Sequence, residues 1–264
     1  MTDIPNSTLL ARIENVVERI VGGSSVEPGE RARLKDILLD YDLERRTSAE
    51  LVKKIKLNPK LLACFQYGGD VSGAIVASDI RRSTMLMEQA KTTEGFATFL
   101  KELNSDIYLE ATRCGGVFEK FTGDGALCFF LDELCGKSAL KNALIFSHNL
   151  AGIFSKNYER HHATFHTRYE SGMGVGIDYG NFSIKVINGN LNIIGQPVVY
   201  ACRLSSGLPG TVIVNNQAKS VAEQDETINR NVSFTTHSVE TKEGNLIAFK
   251  FVAFDEFSNA NPIT

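Results

Sequence analysis

The segment Gly115–Phe130, GGVFEKFTGDGALCFF, constrains the fold more than any other stretch of this sequence. Val117–Thr122 and Ala126–Phe130 are rich in β-branched and aromatic residues, and the tip between them, Gly123-Asp124-Gly125, supplies the positive φ of a short hairpin turn. We therefore predict two antiparallel strands joined by a tight turn. Such a turn fixes the Asp124 carboxylate on a rigid element, with the Lys120 ammonium four residues earlier, an arrangement that suits a metal-nucleotide site.

Composition narrows the class of protein. The 264 residues are 43% hydrophobic and 22% charged, which is enough for one large globular domain, or for one domain with an appendage. A net charge of −3 provides no general attraction to nucleic acid or to an anionic membrane, so any phosphate binding must be local. The five scattered cysteines and the absence of a CxxC pair argue against a disulfide framework or a zinc site. With no segment of membrane-spanning length, we expect a cytoplasmic protein.

Two helical regions precede the main pattern. Ser7–Val21 places its apolar residues on one helical face, and Pro28–Ile55 carries mixed charges with an interrupted apolar stripe. The two helices form either a dimerisation or regulatory appendage, or a cover for one edge of the main domain. The sequence leaves both open.

The central part of the chain predicts a buried strand followed by a helix. Gly73–Ser78 is continuously small and apolar, as in a strand buried on both faces, and it ends at Asp79. A helix from about Thr84 to Cys114 follows, with a break near Thr92 and with Ser83 or Thr84 as its cap. Alone, Asp79 reads as a plain capping residue at a strand-to-helix turn. The two acidic turns, however, could place Asp79 and Asp124 in one pocket.

The remaining periodicities predict alternating short strands and helices. The strands are Gly174–Tyr179, Phe182–Ile187, Leu191–Ile194, Thr211–Asn215, Val232–His237 and Leu246–Phe254, and the helices are Gly136–Asn157, Pro197–Leu204 and Gln217–Glu223. Several neighbouring strands form hairpins, so the pattern favours an α+β fold over a purely parallel sheet. We interpret His161, His162 and His166 as surface residues, because their spacing is not that of a helical zinc site.

Paired carboxylates that hold divalent ions against a triphosphate are a recurrent arrangement in phosphoryl transfer. The sequence contains no GxxxxGK[ST] loop and no GxGxxG after a strand, which excludes the P-loop and dinucleotide-binding interpretations.

Four motifs carry a family resemblance: ASDIRRST at 77–84, GGVFEKFTGDG at 115–125, GIDYG at 176–180 and IIGQPVVYACRLSSGLPG at 193–210. Together they resemble the class III nucleotide cyclase family. The combination of KFTGDG with PVVYACRLS more closely resembles the bacterial pyrimidine cyclases of the Pycsar antiphage systems. The resemblance covers roughly Val71 to Phe254 and implies a ferredoxin-like catalytic domain, with a mostly antiparallel sheet and flanking helices. We thus expect a helical appendage at 1–60, the catalytic domain at 61–257 and a disordered tail at 258–264.

The resemblance also implies a set of metal and phosphate ligands. Asp79 and Asp124 would ligate two divalent ions, Mn²⁺ or Mg²⁺, with the Ile80 carbonyl as a further ligand. Arg203 would stabilise charge at the α-phosphate, and Lys242 would bind the triphosphate. The β- and γ-phosphates would lie against backbone N–H groups around Arg82, Ser83 and Thr84.

The positions that face the base depart from the adenylate cyclase pattern. Lys120 occupies the position of a base-reading residue, which is lysine in cyclases that use adenine. Asn192 stands where adenylate cyclases usually have aspartate, and Val199 stands where the family has its transition-state asparagine. Tyr200, or Tyr67 before the first core strand, could narrow the pocket to pyrimidine size, although either could equally be a packed core tyrosine.

From this resemblance we expect an enzyme that converts UTP to 3′,5′-cyclic UMP and pyrophosphate. It would act in antiphage defence as a head-to-tail homodimer with sites between the chains, and a downstream effector would sense the product. The alternatives are a cytidylate cyclase, an adenylate cyclase, or a non-catalytic nucleotide-binding homologue.

Overall fold

The computed structural model describes residues 37–136, 139–187, 190–241 and 244–254. The predicted helix Ser7–Val21, the candidate ligand Lys242 and the tail at 258–264 lie outside these residues. Residues 37–44 are helical. The elements that follow are α1 (Ala49–Leu57), α2 (Pro59–Tyr67), β1 (Gly69–Arg81), α3 (Ser83–Glu88), α4 (Thr93–Arg113), β2 (Val117–Phe121), β3 (Gly125–Leu131), α5 (Asp132–Cys135), α6 (Ala139–Arg160), β4 (Gly172–Ile187), β5 (Asn190–Ile194), α7 (Gln196–Leu204), β6 (Thr211–Val214), α8 (Asn216–Gln224), α9 (Glu226–Asn229), β7 (Val232–Thr241) and β8 (Gly244–Ala253).

The described strands form one sheet with the order β2-β3-β1-β4-β6-β8-β7, and β5 pairs with β4 outside this order. All pairs are antiparallel except β4 with β6. The mostly antiparallel α+β fold predicted from the sequence is confirmed. Within the described part of the chain no helix is long and apolar enough to cross a membrane, and all five cysteines are free thiols.

Helices cover both faces of the sheet. Phe130 of β3 packs against Phe146 of α6, with ring centroids 5.7 Å apart, so the long helices α6 and α4 lie on that face. Phe129 points to the opposite face, where its ring lies 6.5 Å from that of Phe65 on α2. Helix α7 packs across β4 and β1 on this second face. We call it the α7 face.

The helices before β1 belong to the main core. Leu43, Leu51, Ile55 and Phe65 are at most 2% exposed and lie in the same hydrophobic cluster as the strands. Burying four such side chains contributes on the order of 6–12 kcal/mol before the entropy cost of ordering them. Residues 37–67 thus pack as a cover on the main domain. The predicted boundary between a helical appendage and the catalytic domain, at residue 60, stays a prediction.

Two strands are longer than the sequence pattern indicated. β1 extends beyond Gly73–Ser78 at both ends because it pairs with β4 along its whole length, from Gly69 to Arg81. Asp79 therefore lies within the strand, near its end. The predicted strands Gly174–Tyr179 and Phe182–Ile187 are one strand, because the pairing with β1 continues through Gly180.

The helix after β1 is broken as predicted. α3 ends at Glu88, and α4 begins at Thr93 with the Thr92 hydroxyl accepting a hydrogen bond from the Gly95 N–H at 3.0 Å. The predicted cap of α3 was wrong: neither Ser83 nor Thr84 caps it, because the chain turns at Arg82, which has a φ of 63°.

Candidate functional site

The two acidic residues of the sequence motifs lie side by side. Asp79 stands directly opposite Gly125 in the β1–β3 ladder, and the Ile80 N–H donates to the Asp124 carbonyl oxygen at 3.3 Å. Asp79 also lies opposite Gly174, whose missing side chain would point at α7, so the Asp79 carboxylate is on the α7 face. The end of β1 and the β2–β3 turn thus meet at one edge of this face.

The electrostatics of the pair are those of two carboxylates sharing a site. The pKa of Asp79 is raised from 3.8 to about 6; burial is the largest cause, and the neighbouring Asp124 carboxylate contributes to the rise by repulsion and hydrogen bonding. Arg81 acts in the opposite sense, because its Nη1 lies 2.6 Å from Asp79 Oδ2. A cation is therefore favourable at this position.

Two glycines shape the turn that carries Asp124, for different reasons. Gly123 has a φ of 89°, the left-handed region that glycine adopts without a steric penalty. Gly125 packs so closely on β1 that a Cβ would lie 2.1 Å from the Ser78 carbonyl oxygen. A side chain at position 125 would separate the turn from β1, and with it Asp124 from Asp79.

The donor set at this edge suits a hard divalent cation. Two carboxylates and a backbone carbonyl are oxygen ligands of the kind that Mg²⁺ and Mn²⁺ take, with remaining positions left to water and substrate phosphates. Among the described residues there is no cluster of three or more His, Cys, Asp or Glu side chains that could hold a metal. Two carboxylates and one carbonyl oxygen leave several coordination positions of such an ion for water and substrate phosphates, as in a site that shares its ions with a substrate.

The segment after β1 has an unusual backbone. Arg82 is the one non-glycine residue in the described ranges with a positive φ, and its guanidinium lies 2.9 Å from Glu170 Oε2. Ser83 and Thr84 form the first turn of α3, whose N–H groups have no partner within the helix. They lie four to five residues beyond Asp79, at the same edge of the sheet.

Lys120 lies on the same face as Asp79, at a distance set by the sheet. It pairs with Leu127, Leu127 with Ala77, and Ala77 with Gly176 beneath α7. Two strand spacings separate β2 from β1, which places the two backbones about 10 Å apart. Lys120 Nζ lies 3.1 Å from Glu119 Oε1.

Asn192 lies on β5, which contacts β2, so the predicted base-reading positions are on neighbouring elements. Its side-chain amide donates to the Asn190 carbonyl oxygen at 2.9 Å. Tyr67, by contrast, ends α2 and is 76% exposed.

Helix α7 carries the remaining predicted residues and is seated on glycine. A Cβ at Gly176 would lie 2.1 Å from the Ala201 carbonyl oxygen, so the helix backbone touches the sheet there. On its other side Val199 is 47% exposed, and the Arg203 guanidinium stands 5.9 Å from the centroid of the half-buried Tyr200 ring. Tyr200 is therefore not a packed core tyrosine.

Several participants were not found from the sequence. Arg81 and the buried acid Glu119 were passed over because each looked like one more charge in a motif. Arg46 donates to the carbonyl oxygens of Phe118 and Glu119, which lie more than 70 residues further along the chain. His161, interpreted as a surface residue, has a side chain that is only 14% exposed and has its Nε2 3.0 Å from Glu102 Oε2.

The fold is that of a nucleotide cyclase catalytic domain. The structure is similar to the guanylyl cyclase Cya2, with a TM-score of 0.63, 18% identity and coverage of 74% of this chain and 99% of that one. It is also similar to the adenylyl cyclase CyaB from P. aeruginosa, with a TM-score of 0.59, 19% identity and coverage of 70% of this chain and 95% of that one. A third similar structure is the catalytic core of a rhodopsin-guanylyl cyclase with converted specificity, in complex with ATPαS. Its TM-score is 0.55 and its identity 18%, with coverage of 70% of this chain and 98% of that one.

No protein-family model matches the chain, and no curated protein matches it. Because the identities are below 20%, these structural similarities establish the architecture alone, and adenylyl and guanylyl cyclases share that architecture.

Proposed function

We propose that this protein is a nucleotide cyclase that converts UTP to 3′,5′-cyclic UMP and pyrophosphate. The observation that carries the proposal is the pairing of Asp79 with Asp124 on the α7 face, at the edge of a fold shared with adenylyl and guanylyl cyclases.

The reaction is an intramolecular phosphoryl transfer. The ribose 3′-oxygen attacks the α-phosphorus as its proton is lost to solvent, and the bond from the α-phosphorus to the bridging oxygen breaks to release pyrophosphate. Two divalent ions, Mn²⁺ or Mg²⁺, would acidify the 3′-hydroxyl and neutralise the triphosphate when bound. Asp79, Asp124 and the Ile80 carbonyl would hold them, and backbone N–H groups at Arg82, Ser83 and Thr84 would bind the β- and γ-phosphates.

Cationic side chains would complete the site. Arg203 would stabilise the charge that develops at the α-phosphate, and Lys242, outside the described residues, would bind the triphosphate. Arg203 would come from a second chain in a head-to-tail homodimer. Half-exposed apolar side chains on β5 and α7, Ile194 at 52% and Val199 at 47%, support such an interface.

The dimer has a direct test by complementation. Asp124→Ala and Arg203→Ala should each be inactive alone. An equimolar mixture should regain about a quarter of the wild-type activity, because half of the dimers would be mixed and each would hold one intact site of two. A mixture that stays inactive would place Arg203 and the carboxylates in one chain.

The preference for a pyrimidine rests on the sequence resemblance and on the base-facing positions Lys120, Asn192 and Tyr200. Lys120 favours an adenylate cyclase as the second candidate, and CTP differs from UTP by one exchange of donor and acceptor. The rhodopsin-guanylyl cyclase with converted specificity is an example of this fold with an altered substrate. Val199, in place of an asparagine, favours a non-catalytic nucleotide-binding homologue as the third.

The product would be a second messenger in antiphage defence, sensed by a separate effector protein. Support for this role comes from the resemblance of KFTGDG and PVVYACRLS to the Pycsar cyclases. The acidic net charge of −3 gives no reason to expect nucleic acid or a membrane as a partner.

The assay supplies UTP, CTP, ATP and GTP separately, with Mg²⁺ or Mn²⁺, and identifies products by mass spectrometry. We expect cyclic UMP from UTP and no product with Asp124→Ala. Cyclic AMP as the main product would favour the second candidate. Binding of UTP without any cyclic product would favour the third.

A further inference from the structure

Glu119 is a buried acid beside the residue expected to read the base. Its side chain is 1% exposed, whereas that of the adjacent Lys120 is 52% exposed. Burial is the largest cause that raises the pKa of Glu119, while the Lys120 ammonium and Arg46 lower it. A carboxylate in such a position is costly, because charged groups lose hydration on burial.

The local backbone places this acid inward. The register of β2 against β3 shifts between Phe118 and Lys120, so Glu119 has no partner on β3. Arg46 holds the bulge, because its Nη1 donates to the carbonyl oxygens of Phe118 and Glu119 and its own carbonyl accepts from the Phe118 N–H at 2.7 Å. Asp42 in turn binds Arg46 Nε at 2.8 Å. Bulges that are braced in this way redirect side chains.

The hydrogen bonding of Glu119 is incomplete. Oε1 lies 3.1 Å from Lys120 Nζ, but the buried Oε2 accepts a hydrogen bond from none of the described residues. A glutamine or an apolar residue would be less costly there, since an unsatisfied buried oxygen gains nothing for the fold. What the buried carboxylate does provide, among the described residues, is an ion pair that fixes the position of the Lys120 ammonium.

We propose that Glu119 is a positioning residue, which holds the Lys120 ammonium in place to donate to the base of the nucleoside triphosphate. The inference rests on the proposed function, because the base-reading role of Lys120 does. An exposed lysine otherwise samples many rotamers, and ordering it on substrate binding would cost entropy. The buried carboxylate removes that cost in advance, as a preorganised donor requires.

The test measures binding without turnover. 3′-Deoxy-UTP lacks the attacking hydroxyl, so its dissociation constant reports recognition alone, and 3′-deoxy-ATP serves as the second base. Glu119→Gln should weaken 3′-deoxy-UTP binding roughly tenfold, narrow the discrimination between the two analogues, and leave the thermal midpoint unchanged or higher. The matched control is Glu50→Gln, which removes another lysine partner, since Glu50 Oε1 lies 3.5 Å from Lys54 on α1. It should change none of these quantities.

A double-mutant cycle separates positioning from structure. If Glu119 acts through Lys120, then Glu119→Gln should cost nothing further in a Lys120→Met background. Two results would overturn the inference. In the first, Glu119→Gln loses the same affinity for both analogues and has a lower thermal midpoint. In the second, Glu119→Gln binds both analogues as the wild type does, although Lys120→Met binds them more weakly. If Glu119→Gln does not fold, Glu119→Asp keeps the charge and should retain the base discrimination. A wild-type protein that binds no triphosphate would instead refute the proposed function itself.

Discussion

Replacing Gly176 by alanine should displace α7 from the sheet and thereby impair the site. The added Cβ would lie 2.1 Å from the Ala201 carbonyl oxygen, 2.5 Å from the Ser205 nitrogen and 2.7 Å from Leu204 Cβ, whereas ordinary contact begins at 3.4 Å. Two of these three atoms are backbone, so no rotamer change relieves the overlap. The helix must move outward by about 1 Å, and overpacking of this kind costs about 1–3 kcal/mol.

The displacement would reach residues of the proposed site, because α7 carries Tyr200 and Arg203. A 1 Å misplacement of a positioning group can lower a rate by about 100-fold. We therefore expect Gly176→Ala to lose about two orders of magnitude in cyclase turnover. Its thermal midpoint should fall by about 2–12 °C, given about 2–4 °C per kcal/mol for a domain of this size.

The control is Gly152→Ala on α6, where a Cβ would meet nothing within 4 Å. It should raise stability by about 0.5–1 kcal/mol and leave turnover unchanged, because alanine is the better helix former. Thermal unfolding and steady-state cyclase assays on both variants decide the matter. A Gly176→Ala protein with wild-type stability and turnover would refute the seating of α7 on β4.

Four further outcomes follow. Asp124→Ala should lower turnover by about a thousandfold or more with the fold retained, checked by product assay and circular dichroism. Burial raises the pKa of Asp178 from 3.8 to about 7, so the folded state binds one more proton than the unfolded state between these pH values, and the free energy of unfolding falls as pH rises from about 4 to 7. Asp178→Asn should lack this fall. In urea unfolding, the free energy of unfolding of the variant relative to the wild type should therefore rise by about 3 kcal/mol between pH 5 and 8. Val199→Asn, at a 47% exposed position, should raise turnover with less than about 0.5 kcal/mol change in stability. Iodoacetamide should modify exposed Cys202 before the four buried thiols, and more slowly in the dimer than in the diluted monomer, as peptide mapping would show.

Local pattern predicted the hairpin that carries Asp124 because its determinants are close in sequence. The β-branched and aromatic arms form β2 and β3, and Gly123 has the positive φ that the turn needs. The adjacency of Asp79 was a hypothesis, since nothing in the sequence states that β1 and β3 are neighbours. The ladder that sets Asp79 opposite Gly125 provides that information.

The features that sequence reasoning missed depend on distant partners. Arg46 braces the β2 bulge from more than 70 residues away, and that bulge is what buries Glu119. The length of β1 is likewise set by β4 and not by its own hydrophobic run, which ends before Asp79. Arg82 has a positive φ, a conformation that is uncommon for residues other than glycine, so the sequence did not predict a turn at this position.

A competition assay tests the proposed uridylate cyclase activity directly. The protein is incubated with equimolar UTP, CTP, ATP and GTP, once with Mn²⁺ and once with Mg²⁺, and all cyclic nucleotides are quantified by mass spectrometry. We expect cyclic UMP as the dominant product, formed with one pyrophosphate per turnover. A dominant purine cyclic nucleotide, or no cyclic product with either Mn²⁺ or Mg²⁺, would contradict it.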